Sequence, residues 1–155
     1  MKKDYKNLNS EDESKILRLA EDIARYRLSK NTTKLTSPDA TKKYVAAALR
    51  NLEHEVFSVV FLDNQHGVIA YEEMFRGTIN ASSIYPREIA KRALGLNAAA
   101  IIVAHNHPSG VVEPSRADIQ ITKRLVEAMS LLEIRVLDHI IVGAEMLSMA
   151  DSGLL

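Results

Sequence analysis

The segment 104–118, AHNHPSGVVEPSRAD, concentrates the residues of this chain that could do chemistry. His105 and His107 stand two apart at the end of an apolar run. In an extended chain, residues i and i+2 point to the same side, with Cα atoms roughly 6–7 Å apart, so both imidazoles can converge on one ion. Pro108 has no N–H to give to a strand ladder and ends the pairing there. The loop 109–113 turns the chain back, and Pro114-Ser115 opens a helix with Asp118 in its first turn. That placement can deliver a carboxylate to the two histidines. Three ligands of N, N and O type leave a fourth position for water, as a catalytic zinc site requires. A zinc ion held by His105, His107 and Asp118 would lower the pKa of a water and polarise a carbonyl.

Each of these residues also has an ordinary explanation. Ser115-x-x-Asp118 fits a capping box, with Asp in the place of the usual Glu, and a helix start accounts for it without metal. Histidine at a strand end is commonly a surface residue. Taken together, however, two histidines on one face, a turn and a carboxylate at a helix start have no shared packing purpose. Hydrolysis further needs a general base. The loop offers only Glu113, which Pro114 is expected to direct outward. Glu53 and Glu55 before the first predicted strand, and Glu72 and Glu73 after its hairpin partner, are the other candidates, and spacing does not choose among them.

The elements that must position these groups follow from hydrophobic periodicity. Residues 10–30 read as an amphipathic helix carrying Ile16, Leu17, Leu19, Ala20, Ile23, Ala24 and Tyr26 near helical spacing. The polar segment 31–37 is expected to be a linker, with Ser37 as N-cap and Pro38 at the first position of a second helix running to about Asn51. Two β-rich runs flank 63–67 (DNQHG) and predict a hairpin. Pro86 opens a third helix with Ile89, Ala90, Ala93 and Leu94 on one face. The run 98–104 (AAAIIVA) predicts a strand buried on both faces. A helix over 115–133, a strand over 134–143 and a short strand over 147–151 complete the order αα-ββ-α-β-α-β-β. This implies an α/β fold, a mixed β-sheet flanked by helices.

Composition sets outer bounds. The chain has 155 residues, 46% of them hydrophobic and 26% charged, which suits one domain with a short extension. Twenty basic residues balance twenty acidic ones, so strong non-specific attraction to nucleic acid is not expected. With no cysteine, thiolate metal sites, cysteine nucleophiles and disulfides are excluded. The N-terminal residues have no apolar stretch behind their charges, and no run is long enough to span a bilayer. A soluble cytoplasmic protein is the expectation, and any metal must be held by His, Asp or Glu. Asp138 and His139 fall on opposite faces of a predicted strand, where structural roles are expected ahead of support for the site. His54 and His66 are expected to be exposed, and Asn106 to point away from the ion. Arg76, Arg87, Lys91, Arg92, Lys123 and Arg124 read as solvated charges. The stretch 75–78 (FRGT) follows a strand capable of lying at a sheet edge, where an extended peptide could pair.

His105-Asn106-His107-Pro108 followed by Ser115-x-x-Asp118 resembles the JAMM motif of MPN-type metallohydrolases. The fuller string HNHPSG…PSRAD resembles the RadC family among them, a bacterial group labelled as DNA-repair proteins. Tyr85-Pro86-Arg87-Glu88, the segment 137–143 (LDHIIVG) and the closing 153–155 (GLL) are similar to short, prophage-associated RadC-like proteins. The likeness covers about residues 37–155, with 1–36 as a helical extension and linker. It implies a cytidine-deaminase-like (JAB1/MPN) fold and zinc held by His105, His107 and Asp118. It places the general base at Glu55, preferred over Glu53 by register, and gives Ser115 a role in orienting water or stabilising an oxyanion. Relatives cleave peptide or isopeptide bonds, so a metallopeptidase-like amide hydrolase acting on such a substrate is implied. A nucleic-acid accessory role, in line with the family's label, is the rival expectation; longer RadC-like proteins carry a DNA-binding helix-hairpin-helix-like region, whereas a single helix precedes the domain here, which weighs against that role. A metal-binding interaction module without catalysis is the third.

Overall fold

The computed structural model describes residues 10–29, 38–77 and 84–155. The linker 31–37 with its N-cap Ser37, and Thr78 after the second strand, lie outside the described residues. Helix α1 (Ser10–Ser29) and helix α2 (Pro38–Leu49) precede the hairpin of β1 (Val56–Leu62) and β2 (Val68–Arg76). Then follow α3 (Pro86–Gly95), β3 (Ala100–Asn106), α4 (Arg116–Ser130), β4 (Arg135–Val142) and β5 (Met146–Ser148). The expected order of elements is the observed one.

The five strands form one mixed sheet in the order β2-β1-β3-β4-β5. β1 runs antiparallel to both β2 and β3, β3 and β4 are parallel across the α4 connection, and β5 returns antiparallel to β4. Every residue of β1 and β3 is buried, as central strands covered on both faces must be. The β1–β2 turn is held by the Asp63 carboxylate, which accepts from the N–H groups of Gln65 and Gly67 at 2.8 Å each.

Alternation along the strands divides the core in two. On one face, Val56, Val60, Ile102, Ala104, Ile140 and Val142 pack under Val45 and Leu49 of α2. On the other, Phe57, Val59, Phe61, Ile101 and Val103 meet Ile89 and Ala93 of α3 and Ile121, Leu125 and Met129 of α4. The odd-numbered residues of β3 face α3 and α4, and His105 is the next in that series.

Two helices leave apolar residues exposed. α1 packs against β2 and α2 at the rim of the sheet. Ile16, Leu17, Leu19 and Ile23 therefore stay 41–60% exposed instead of entering a core. On α3, Ile89 and Ala93 are buried, but Leu94 is 56% exposed.

Candidate metal centre

β3 carries His105 to the carboxyl end of the sheet, and the chain leaves the ladder at His107, whose N–H donates to the Val142 carbonyl at 2.8 Å. α4 starts from the same end, so its first turn meets the two histidines. This is the edge of an α/β sheet where ligand sites commonly form. Ligand atoms of His105, His107 and Asp118 all lie within 4.8 Å of one another and could hold a metal ion. The Nε2 atoms of the two imidazoles stand 2.9 Å apart. Asp118 places Oδ1 3.2 Å from His105 Nε2 and Oδ2 3.8 Å from His107 Nε2.

The capping and metal readings of Asp118 turn out to be compatible. Oδ2 accepts from the Ser115 N–H at 2.8 Å and from the Ser115 hydroxyl at 2.6 Å, while Ser115 Oγ accepts from the Asp118 N–H at 3.1 Å. That is a complete capping box. It anchors one carboxylate oxygen and leaves the other aimed at His105. Ser115 thus spends its one hydroxyl hydrogen on Asp118.

Whether these residues suit a cation is decided by their hydrogens. His107 Nδ1 lies 2.6 Å from the Val111 carbonyl, which can only accept, so Nδ1 carries the hydrogen and Nε2 presents a lone pair to the site. Burial holds the His105 pKa down to about 4, with the Asp118 charge pulling the other way, so the ring is neutral at pH 7. A neutral imidazole, a second one with its lone pair fixed inward and a carboxylate form an N, N, O set that fits a zinc-type divalent ion. Phe57 lies over the His105 ring as the apolar wall, with centroids 6.3 Å apart. A cleft of about 550 Å³, walled by Leu52, Glu53, Pro108, Gly110 and Gly143, opens beside His107.

The candidate bases separate clearly. Glu72 takes a bidentate ion pair with Arg92, Oε1 and Oε2 lying 2.8 and 2.9 Å from its Nε, and Glu73 pairs with Arg76 at 2.6 Å. Arg76 and Arg92 are thus ion-paired as well as solvent-facing. Glu113 is exposed, as expected. Glu53 is exposed on the wall of the cleft. Phe57 pairs with His105 across β1 and β3, and Glu55 immediately precedes β1, two residues before Phe57. It is half-buried there.

Asn106 points away from the three ligands, as expected, but it has a task that spacing did not reveal. Its Oδ1 accepts from the Val56 N–H at 2.8 Å, and its Nδ2 donates to the carbonyls of Leu52 and His54 at 3.2 and 3.0 Å. One buried amide therefore clamps the segment that carries Glu55 to the strand that carries the histidines. Its signal in the sequence was only a polar residue between two histidines.

Asp138 behaves structurally. Its carboxylate accepts from the N–H groups of His139 and Ala150 and from the Ser148 hydroxyl, tying β5 and the following turn to β4. His139 does not fit the structural role expected for it: fully buried, it sets Nε2 2.8 Å from Nδ1 of His105. His54 is exposed as expected. His66, also expected to be exposed, is half-buried with Nε2 3.5 Å from Arg135.

With this geometry, a mixed α/β domain with a potential metal-binding triad at a strand end, the comparisons with known proteins agree. Residues 35–154 match the family described as the RadC-like JAB domain, and the chain belongs to that family. It is 60% identical over 121 residues to a UPF0758 protein of Thioalkalivibrio sulfidiphilus, covering 78% of this chain and 54% of the relative. It is 63% identical over 122 residues to a UPF0758 protein of Nitrosococcus oceani, with the same two coverages. A UPF0758 protein of Vibrio cholerae is 50% identical over 141 residues, 91% of this chain and 89% of that one. The chain thus spans about half the length of the first two relatives. Their names carry no activity. Among the described residues, no helix is long and apolar enough to cross a membrane.

Proposed function

We propose that this domain is a zinc-dependent amide hydrolase of metallopeptidase or isopeptidase type, working as a soluble cytoplasmic protein. The observation that carries the reading is the convergence of His105, His107 and Asp118 around one small volume, with the His107 lone pair fixed inward. When bound there, zinc would supply Lewis acidity, making a water nucleophilic at neutral pH and polarising the substrate carbonyl.

The chain's own groups do the rest. Glu55, immediately before β1, takes the proton from the attacking water and returns it to the leaving amine. Asn106 holds the backbone on both sides of Glu55, which keeps that carboxylate in place. Ser115 can turn its hydroxyl hydrogen from Asp118 to a developing oxyanion, while its oxygen still accepts from the Asp118 N–H. In this reading an extended segment of peptide or isopeptide would lie in the cleft beside His107.

Metal analysis of protein expressed with zinc, together with turnover of fluorogenic peptide and isopeptide substrates, tests this function. Near-stoichiometric zinc and measurable turnover are expected. Glu55→Gln should keep the zinc and lower turnover by a factor on the order of 10²–10⁴, the usual contribution of a general base. Wild-type protein that takes up no zinc rejects the metal, and a fully active Glu55→Gln variant moves the base elsewhere.

A further inference from the structure

His139 is a fully buried polar side chain on the apolar α3–α4 face of the sheet, placed there by pairing with Val103 of β3. Its two nitrogens are both engaged. Nε2 lies 2.8 Å from Nδ1 of His105, and Nδ1 lies 2.6 Å from the Thr122 hydroxyl on α4. That hydroxyl donates to the Asp118 carbonyl one helical turn back, at 2.6 Å. Donation from threonine to the i−4 carbonyl is an ordinary habit of helices.

The hydrogens along this chain can be counted. A hydroxyl has one hydrogen, and Thr122 gives it to Asp118, so toward His139 the oxygen is an acceptor. His139 therefore carries its hydrogen on Nδ1. A neutral imidazole has only one, which leaves Nε2 as an acceptor facing His105. His105 must then carry its hydrogen on Nδ1, and its Nε2 is left bare beside His107 and Asp118. With the opposite polarity a hydrogen would sit on His105 Nε2, in the position a cation needs.

We propose that Thr122 and His139 are positioning residues that hold His105 in the tautomer and ring orientation required to ligate a metal through Nε2. The proposal rests on the zinc reading above. It links two of the three ligands, Asp118 and His105, through three elements: Thr122 and Asp118 share α4, His139 comes from β4, and His105 comes from β3. His107 receives the same service from the Val111 carbonyl. Outer hydrogen bonds of this kind commonly set the basicity and orientation of a metal-ligating histidine.

Zinc affinity of the full chain, measured by competition with a chromogenic chelator, and two-bond ¹H–¹⁵N spectra of histidine-labelled protein test the proposal. Thr122→Val preserves shape and removes the acceptor, whereas Thr122→Ser keeps the hydroxyl. Thr122→Val should weaken zinc binding roughly 10–100-fold, the usual effect of losing such a partner, and Thr122→Ser should stay near wild type. Zinc-loaded wild type should show His139 as the Nδ1–H tautomer. Zinc affinity unaffected by Thr122→Val, or His139 found as the Nε2–H tautomer, overturns the proposal. Should Thr122→Val not fold, the wild-type spectrum decides by itself. Wild-type protein that binds no zinc overturns the metal reading, a result distinct from intact zinc binding that ignores Thr122.

Discussion

At the scale of the residue, Asp118 shows how one side chain serves folding and chemistry at once. Its backbone N–H and Oδ2 close the capping box with Ser115, and Oδ1 turns to His105. The two roles can be separated, because an Asn amide oxygen at this N3 position can still accept from the Ser115 N–H but is a poor substitute for a carboxylate ligand. Asp118→Ala should lose about 1 kcal/mol of metal-free stability through the cap, together with the metal. Asp118→Asn should retain most of that stability and still lose the metal. Urea unfolding of the metal-free variants, paired with zinc analysis, measures both. Equal stability losses in the two variants would show that the cap is not what Asp118 contributes.

The elements place these residues through close backbone approach. The loop after His107 is held by Gly110 N–H to the His107 carbonyl at 2.9 Å and Ala144 N–H to the Gly110 carbonyl at 3.0 Å. Gly143 permits this, since a Cβ there would lie 2.5 Å from the Gly110 carbonyl oxygen. Gly110 itself sits at φ +83°, a conformation that favours glycine. Backbone cannot yield as a flexible side chain does, so Gly143→Ala should displace the loop and cost about 1–3 kcal/mol, in the range of other overpacking changes. Because the next residue, Val111, supplies the carbonyl that orients His107, zinc affinity should fall as well. A variant with wild-type melting temperature and affinity would mean the loop has slack not evident in its packing.

For the molecule as a whole, buried neutral histidines tie stability to pH. His105 is held at about 4, below the ordinary 6.5, chiefly by burial, and His139 lies well below its ordinary value for the same reason. As pH falls, the unfolded chain takes up these protons before the folded one does, so folding loses stability. For His105 the loss starts near pH 6.5 and is complete below about pH 4, and His139 adds a loss of the same sign. Thermal melts of metal-free protein should therefore show a falling midpoint from pH 7 to pH 4. His139→Gln, if folded, should flatten part of that slope. A midpoint that stays level across this range would show that the rings remain protonated or hydrated in the folded state.

Local order determined much of this protein. The element sequence, the hairpin at 63–67, the buried run of β3 and the same-face pair His105 and His107 follow from periodicity and turn chemistry, which act between near neighbours in the chain. Asp118 was legible as a cap and as a ligand, and spacing had no means of showing that both hold. Only the tertiary structure decided the relations between strands. The β1–β3 register sets Phe57 against His105, and ion pairs hold Glu72 to Arg92 and Glu73 to Arg76. The parallel β3–β4 pairing turns His139 from an ordinary strand residue into the partner of His105. The exposure of α1's apolar residues and of Leu94 was equally invisible, because amphipathic spacing says which face a helix offers and not what meets it. Contacts between residues 17 to 54 positions apart depend on register and packing, which no local pattern of side chains encodes.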